Sequence, residues 1–457
     1  MQRADFPGAF VFGTATASYQ IEGATKEDGR GPSIWDTFAA TPGAIADGQT
    51  GDIADDHYHR FGEDVALMAD LGTDAYRFSI AWPRIQAEGA GAVNRAGIDF
   101  YRSLAEKMLE RGITPWATLY HWDLPQALED RGGWLERDTA YRFAEYSALV
   151  ADELGDVVKH WITLNEPWCS AFLGYASGHH APGRTEGSLS MHAAHHLLLG
   201  HGLALPEIRR AVPDATAGVT LNLYSVRAAS DSVEDADAAR RIDGMSNRLF
   251  LDPVLRGAYP EDVLADSGEG AWFAANVTGA DLELISAPID FLGINYYSRH
   301  TVRAGSPREQ ASSYPGSEFV ENVDTGAAKT HMGWEIHPDG LLDVLEMANA
   351  LAPGLPLYVT ENGSAYEDTV ATDGTIDDPE RTAYLQSHLD MCRQAVARGL
   401  PLGGYFVWSL IDNFEWAWGY TRRFGIVHVD YDTQVRTPKT SGRWLAGFLG
   451  GSIGAAD

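Results

Sequence analysis

A chain of 457 residues with 45% hydrophobic side chains can bury a large core, either as two or three ordinary domains or as one large α/β barrel with long loops. Acidic residues outnumber basic ones 64 to 34, and the net charge of −30 argues against nucleic acid and anionic membranes as partners, because phosphate binding needs basic patches. The only two cysteines, Cys169 and Cys392, are too few for a disulfide framework.

The opening residues, Met1-Gln2-Arg3-Ala4-Asp5-Phe6-Pro7, lack the apolar stretch of a signal peptide, and no apolar run approaches a membrane-spanning length. The chain therefore reads as a soluble, cytoplasmic protein. β-prone runs then follow at residues 10–15, 74–80, 113–119, 160–164, 217–222, 289–295, 357–360 and 404–409. Several are apolar at nearly every position, as expected of strands buried on both faces. Amphipathic stretches lie between them. Residues 59–72 carry Phe61, Val65, Met68, Ala69 and Leu71 at helical spacing and stop at Gly72. Residues 96–111, 139–154 and 382–398 repeat the pattern, each ahead of a glycine. Eight strands each followed by helix predict a single (β/α)8 TIM barrel spanning 1–457, with long βα loops. The longest irregular segment, 299–335, follows the sixth strand and is expected to loop over the barrel's C-terminal rim.

In such a barrel, side chains at the C-terminal strand ends share one mouth. Thr163-Leu164-Asn165-Glu166-Pro167 puts Glu166 past strand four, and Thr360-Glu361-Asn362-Gly363 puts Glu361 past strand seven. Two facing carboxyl groups are the minimal equipment for cleaving a glycosidic bond: one protonates the leaving oxygen while the other attacks or activates water. The remaining strand ends supply Gln20, Arg77, His121-Trp122, Asn222, Asn295-Tyr296-Tyr297 and Trp408. Amides and imidazole suit the hydroxyls of a sugar ring, and aromatic faces suit its C–H surface.

The chain resembles glycoside hydrolase family 1, the retaining β-glucosidases, from Phe10-Val11-Phe12-Gly13-Thr14-Ala15-Thr16-Ala17-Ser18-Tyr19-Gln20-Ile21-Glu22-Gly23 through the Asn-Glu-Pro and Thr-Glu-Asn-Gly segments to Phe424-Gly425-Ile426-Val427. The resemblance implies that Glu166 is the general acid/base and Glu361 the nucleophile. It implies that Arg77 and Tyr297 hold the nucleophile, and that Gln20, His121, Asn165, Glu415 and Trp416 bind hydroxyls of the non-reducing sugar. Trp408 would lie beneath that ring, Phe424 would shape its pocket, and Trp334 would stack on the leaving group, with Trp168 and His180 as further lining. The implied reaction is hydrolysis of terminal β-D-glucosyl residues from cello-oligosaccharides and aryl or alkyl β-glucosides. Side activity on galactosides and fucosides, and transglycosylation, are expected with it. No cofactor and no metal are implied. Two alternatives are a 6-phospho-β-glycosidase on the same fold and a catalytically silent sugar-binding protein. Glu415 in Asn413-Phe414-Glu415-Trp416 would repel a 6-phosphate, although Arg422 and Arg423 follow it, and the presence of both glutamates disfavours the silent protein.

Other conspicuous residues read as structural. Cys169, three residues after Glu166, is expected to be a small packing residue near the pocket. His192 and His196 have an i,i+4 spacing seen in metal sites, but positions 193 and 194 between them are alanine. Trp82, Trp116 and Trp161 are expected to be core, and alternation points one of Tyr296 and Tyr297 away from the pocket.

Overall fold

Eight parallel strands close into a barrel in the order in which the chain makes them. They are β1 (Val11–Ala15), β2 (Ala75–Ser79), β3 (Thr114–Tyr120), β4 (His160–Asn165), β5 (Thr216–Asn222), β6 (Phe291–Asn295), β7 (Leu357–Asn362) and β8 (Leu402–Trp408). Closure is made by β1 against β8, with Gly13 opposite Phe406. The computed structural model describes residues 1–306 and 311–453. Each of the eight expected strands is present, with bounds moved by a few residues at most.

Every strand leads into helix, as a parallel crossover requires. The main ones are α1 (His57–Leu71), α2 (Arg95–Glu110), α3 (Asp138–Leu154), α4 (Ser190–Ala211), α5 (Val233–Asp243), α6 (Pro338–Leu351), α7 (Pro379–Ala397) and α8 (Thr440–Leu449). α1 ends at Gly72 because the capping position adopts φ 79°, which glycine takes without steric cost. No helix among the described residues is long and apolar enough to cross a membrane.

Alternation along the strands fills the lower barrel with Trp116, Ile162, Phe291 and Phe406. The Trp116 ring stacks on His160 at 4.4 Å and meets Phe291 and Phe406 at 5.2 Å each. Trp82 stacks on Tyr146 at 4.8 Å, and Trp161 is fully buried, so all three tryptophans are packing residues as expected. Polar groups of the upper barrel thus sit above an apolar floor.

Two register irregularities decide what faces the mouth. Tyr358 of β7 points inward onto Trp116, so strict alternation would turn Glu361 outward. The pairing of β7 instead shifts between Val359 and Glu361 against β6 and between Val359 and Asn362 against β8, and this bulge brings Glu361 into the barrel. β4 shifts likewise against β5 between Ile162 and Asn165.

Segment 299–335 is more ordered than its composition suggests. It holds the antiparallel strands Arg299–Ala304 and Val320–Asn322, and the first pairs with Ser225–Ala228 into a three-stranded sheet on the rim. The partner strand comes from the loop after β5, so no local pattern in 299–335 announces it. Residues 307–310 of this segment lie outside the described residues.

Candidate active site

Glu361, brought inward by the β7 bulge, is held by two groups of different kind. Its Oε1 lies 2.5 Å from Arg77 Nη1, and its Oε2 accepts a hydrogen bond from the Tyr297 hydroxyl at 2.7 Å. Arg77 side-chain exposure is 1% and that of Glu361 is 4%, so this is a buried ion pair whose geometry must offset its desolvation. Arg77 also donates to the Thr360 carbonyl at 3.2 Å and to Asn165 Oδ1 at 2.5 Å, which fixes the guanidinium in its plane. Burial, reinforced by the Glu361 charge, pushes the Tyr297 phenol well above its ordinary range and keeps it a donor. Tyr296 points the other way and donates to the His337 carbonyl at 2.7 Å.

Glu166 stands differently. It leaves the end of β4 with φ 46°, a left-handed conformation rare outside glycine, anchored by its N–H to the Thr220 carbonyl at 2.9 Å. Its Oε1 accepts from Asn295 Nδ2 at 2.7 Å and its Oε2 from the Cys169 thiol at 3.2 Å. Burial first, and the Glu361 charge second, push its carboxyl up to about 8. One carboxyl is therefore paired with a cation, and the other is buried among neutral donors.

The residues between them form one network. Asn165 Oδ1 accepts from both Arg77 and Asn295, and its Nδ2 lies 3.0 Å from His121 Nε2. Burial, helped by the Arg77 charge, holds the His121 imidazole well below its usual range, so it is neutral. Asn295 is held from both ends: Thr360 donates to its Oδ1 at 2.8 Å, and its Nδ2 donates to Glu166 and Asn165. Trp122 directs its indole N–H to the Asn165 carbonyl at 2.9 Å and packs its ring on Trp416 at 4.5 Å.

On the other wall, Gln20 sits in the buried turn after β1 and donates through Nε2 to Asn413 Oδ1 and the Phe414 carbonyl, each at 2.9 Å. Its Oε1 has no hydrogen-bond partner among the described residues, nor has His121 Nδ1 or Asn222 Nδ2. Glu415 lies 3.5 Å from Gln20 Nε2, and burial, then the charges of Glu361 and Glu166, push it up to about 8. Trp408 ends β8 with its ring 5.8 Å from His121, and Trp416 lies 5.9 Å from His121. Tyr297, Phe424 and Trp334 form an aromatic wall with centroid separations of 5.4 to 6.2 Å.

Beyond that wall opens a cavity of about 390 Å³, lined by Tyr224, Tyr297, His300, Asn322, Lys329 and Trp334 among others. Trp168 packs against Tyr314 at 5.3 Å, and His180 lies behind Trp122 at 5.5 Å. The histidine run of α4 is dispersed: His192 meets Glu269, His195 meets Tyr259, His196 meets the Trp134 carbonyl and His201 meets Thr163. Sequence reasoning did not single out Thr360, which orients Asn295, or Tyr224, His300 and Asn322 on the outer cavity. The register of β6 against β7 and the rim sheet bring them there. Cys169, three residues after Glu166 and expected as a packing residue near the pocket, is buried and also places its thiol on the Glu166 carboxyl.

A model of glycosyl hydrolase family 1 matches residues 2–450. The chain belongs to this family. It is 51% identical to thermostable β-glucosidase B of Thermobispora bispora, over 96% of this chain and 89% of that one. It is 49% identical to a bifunctional β-D-glucosidase/β-D-fucosidase of Bifidobacterium breve, over 97% and 98%. Among solved family 1 structures, the β-glucosidase of Thermotoga maritima superposes with a TM-score of 0.93 at 45% identity, covering 99% of each chain. The same Thermotoga protein in complex with isofagomine lactam gives 0.92 at 46% identity, covering 98% of this chain and 99% of that one.

Proposed function

We propose that this family 1 hydrolase is a retaining β-glucosidase acting on terminal β-D-glucosyl residues of cello-oligosaccharides and aryl or alkyl β-glucosides. The observation that carries the proposal is the asymmetry of its two buried carboxyls: Glu361 paired with Arg77 and Tyr297, Glu166 held only by neutral donors. A nucleophile must be ionised and an acid must keep its proton near neutrality, and the two environments match those needs.

In the first step a Glu361 carboxylate oxygen bonds to C1 while Glu166 gives its proton to the departing glycosidic oxygen, and the sugar stays as an ester on Glu361. That ester removes the Glu361 charge, which is the second cause of the raised Glu166 pKa. The Glu166 carboxylate then takes a proton from water as the water oxygen attacks C1 and Glu361 leaves. Asn295 orients the acid, Asn165 links Asn295 to Arg77 and is offered to a sugar hydroxyl, and Trp408 lies under the ring. Gln20, His121, Asn222, Glu415 and Trp416 take the hydroxyls. The unpartnered Gln20 Oε1, His121 Nδ1 and Asn222 Nδ2 support this, since buried polar atoms require partners. Trp334 and the cavity beside it receive the leaving group.

The 6-phosphate alternative is disfavoured by the same pocket. Both nearby arginines are engaged elsewhere, Arg422 over the Trp418 ring at 4.3 Å and Arg423 with Asp412 at 2.6 Å, and Glu415 presents a carboxyl rather than a cation. The relative named as a glucosidase and fucosidase supports side activity on fucosides. We assign the reaction to the cytoplasm on the two free, buried cysteines, which suit a reducing compartment. Turnover of an aryl β-glucoside compared with its 6-phosphate is the direct test. Strong preference for the unmodified glucoside is expected, and preference for the phosphate would overturn the role given to Glu415.

A further inference from the structure

The first turn after β4 folds back on itself. The Cys169 N–H donates to the Glu166 carbonyl at 2.9 Å, and Pro167 fixes the backbone between them. This turn carries the Cys169 sulfur to 3.2 Å from Glu166 Oε2, and Cys169 is only 7% exposed. Asn295 occupies the other oxygen, Oε1, and an amide N–H can only donate. Oε1 is therefore an acceptor in both protonation states, and Oε2 is the oxygen that carries the transferable proton.

We propose that Cys169 is a positioning residue for the general acid, its thiol holding Oε2 of Glu166 in the plane set by Asn295 through a contact weak enough to leave that oxygen free to take up and release the proton. The proposal rests on Glu166 being the acid/base. A thiol suits this place because sulfur is both a weak donor and a weaker acceptor, so it donates to the ionised carboxylate, which it favours, and can still accept from the protonated one. Burial, and next the charge of Glu166, raise the thiol well above its ordinary range, so it remains S–H and adds no charge beside the acid. The other ionisable groups facing Glu166 are Arg77 from β2, Tyr224 after β5, Tyr297 after β6, Glu361 from β7 and Glu415 after β8. Of Cys169 and these, only Cys169 has a hydrogen bond to the acid carboxyl.

The test is the pH dependence of kcat/KM for Cys169→Ser, Cys169→Ala and Cys169→Val, measured with an activated aryl β-glucoside and with cellobiose. A hydrogen bond to the ionised carboxylate lowers its pKa, so removing the donor in the alanine and valine variants moves the basic limb up by about half a pH unit. Serine, a stronger donor, returns the limb to the wild-type position or below it. Losses in kcat/KM are larger for cellobiose, whose departure needs the proton, than for the activated glucoside. Limbs that coincide in all variants, with equal losses on both substrates, would overturn the proposal and leave Cys169 as packing. Glu166→Gln separates this from failure of the underlying assignment: if that variant retains the wild-type basic limb, Glu166 is not the acid, whatever Cys169 does.

Discussion

The two sides of the catalytic mouth solve opposite electrostatic problems with similar degrees of burial. On the β7 side, Glu361 is 3% exposed and faces a guanidinium and a phenol. On the β4 side, Glu166 is 5% exposed and faces an amide and a thiol. Burial alone disfavours the charged form of both. A cation lies within hydrogen-bonding distance on one side only, and on the other burial pushes the Glu166 carboxyl up. The difference on which the proposed roles of nucleophile and acid rest is thus made by the neighbours, not by the carboxyls themselves.

Removing each carboxyl breaks that comparison most severely. Glu361→Gly is expected to lower turnover by about ten-thousandfold or more, because no covalent intermediate can form. Azide should restore cleavage of an activated aryl glucoside and give the α-linked azide, since the small anion attacks from the nucleophile's side. Substantial residual wild-type activity would refute the assignment. Glu166→Ala should cost about a hundred- to ten-thousandfold on cellobiose, the range for general acid catalysis, and far less on a dinitrophenyl glucoside. Here azide should give the β-linked product. With Glu166 as the acid, its protonated form is the active one and burial pushes that carboxyl up to about 8, so kcat/KM should fall as pH rises through that value. The limb belongs to the coupled carboxyls of the pocket as a group. Tyr297→Phe tests the smaller contribution. It removes one hydrogen bond to a charged acceptor, worth about 1.5–3 kcal/mol, so kcat/KM should drop about ten- to hundredfold with the basic limb little moved. A large displacement of that limb would mean that the phenol acts mainly on the acid.

The Asn-Glu-Pro and Thr-Glu-Asn-Gly segments, the alternating strands and helices, and the polar residues at strand ends are local features, and all were legible in the chain. So was the separation of Tyr296 from Tyr297 as one outward and one inward residue, though only resemblance said which. What the pattern misstated was segment 299–335, because the strand Arg299–Ala304 is completed by Ser225–Ala228 from another loop. Asn295, expected among the sugar-facing residues, directs its amide hydrogens to Asn165 and Glu166 and accepts from Thr360, contacts that no local pattern announces.

By itself, the sequence determined the barrel and singled out Glu166 and Glu361 as candidates, since hydrophobic periodicity and strand-end chemistry are properties of short stretches. Only the tertiary structure decided that these carboxyls meet. Period-two alternation would turn Glu361 away from the barrel, and the register shift after Val359, made against both β6 and β8, reverses it. The same holds for the proton on Glu166, which depends on burial, on the nearby Glu361 charge, on a thiol from the turn after β4 and on an amide from the end of β6. A carboxyl's charge state is set by everything packed around it, and that arrangement exists only once the eight strands have closed.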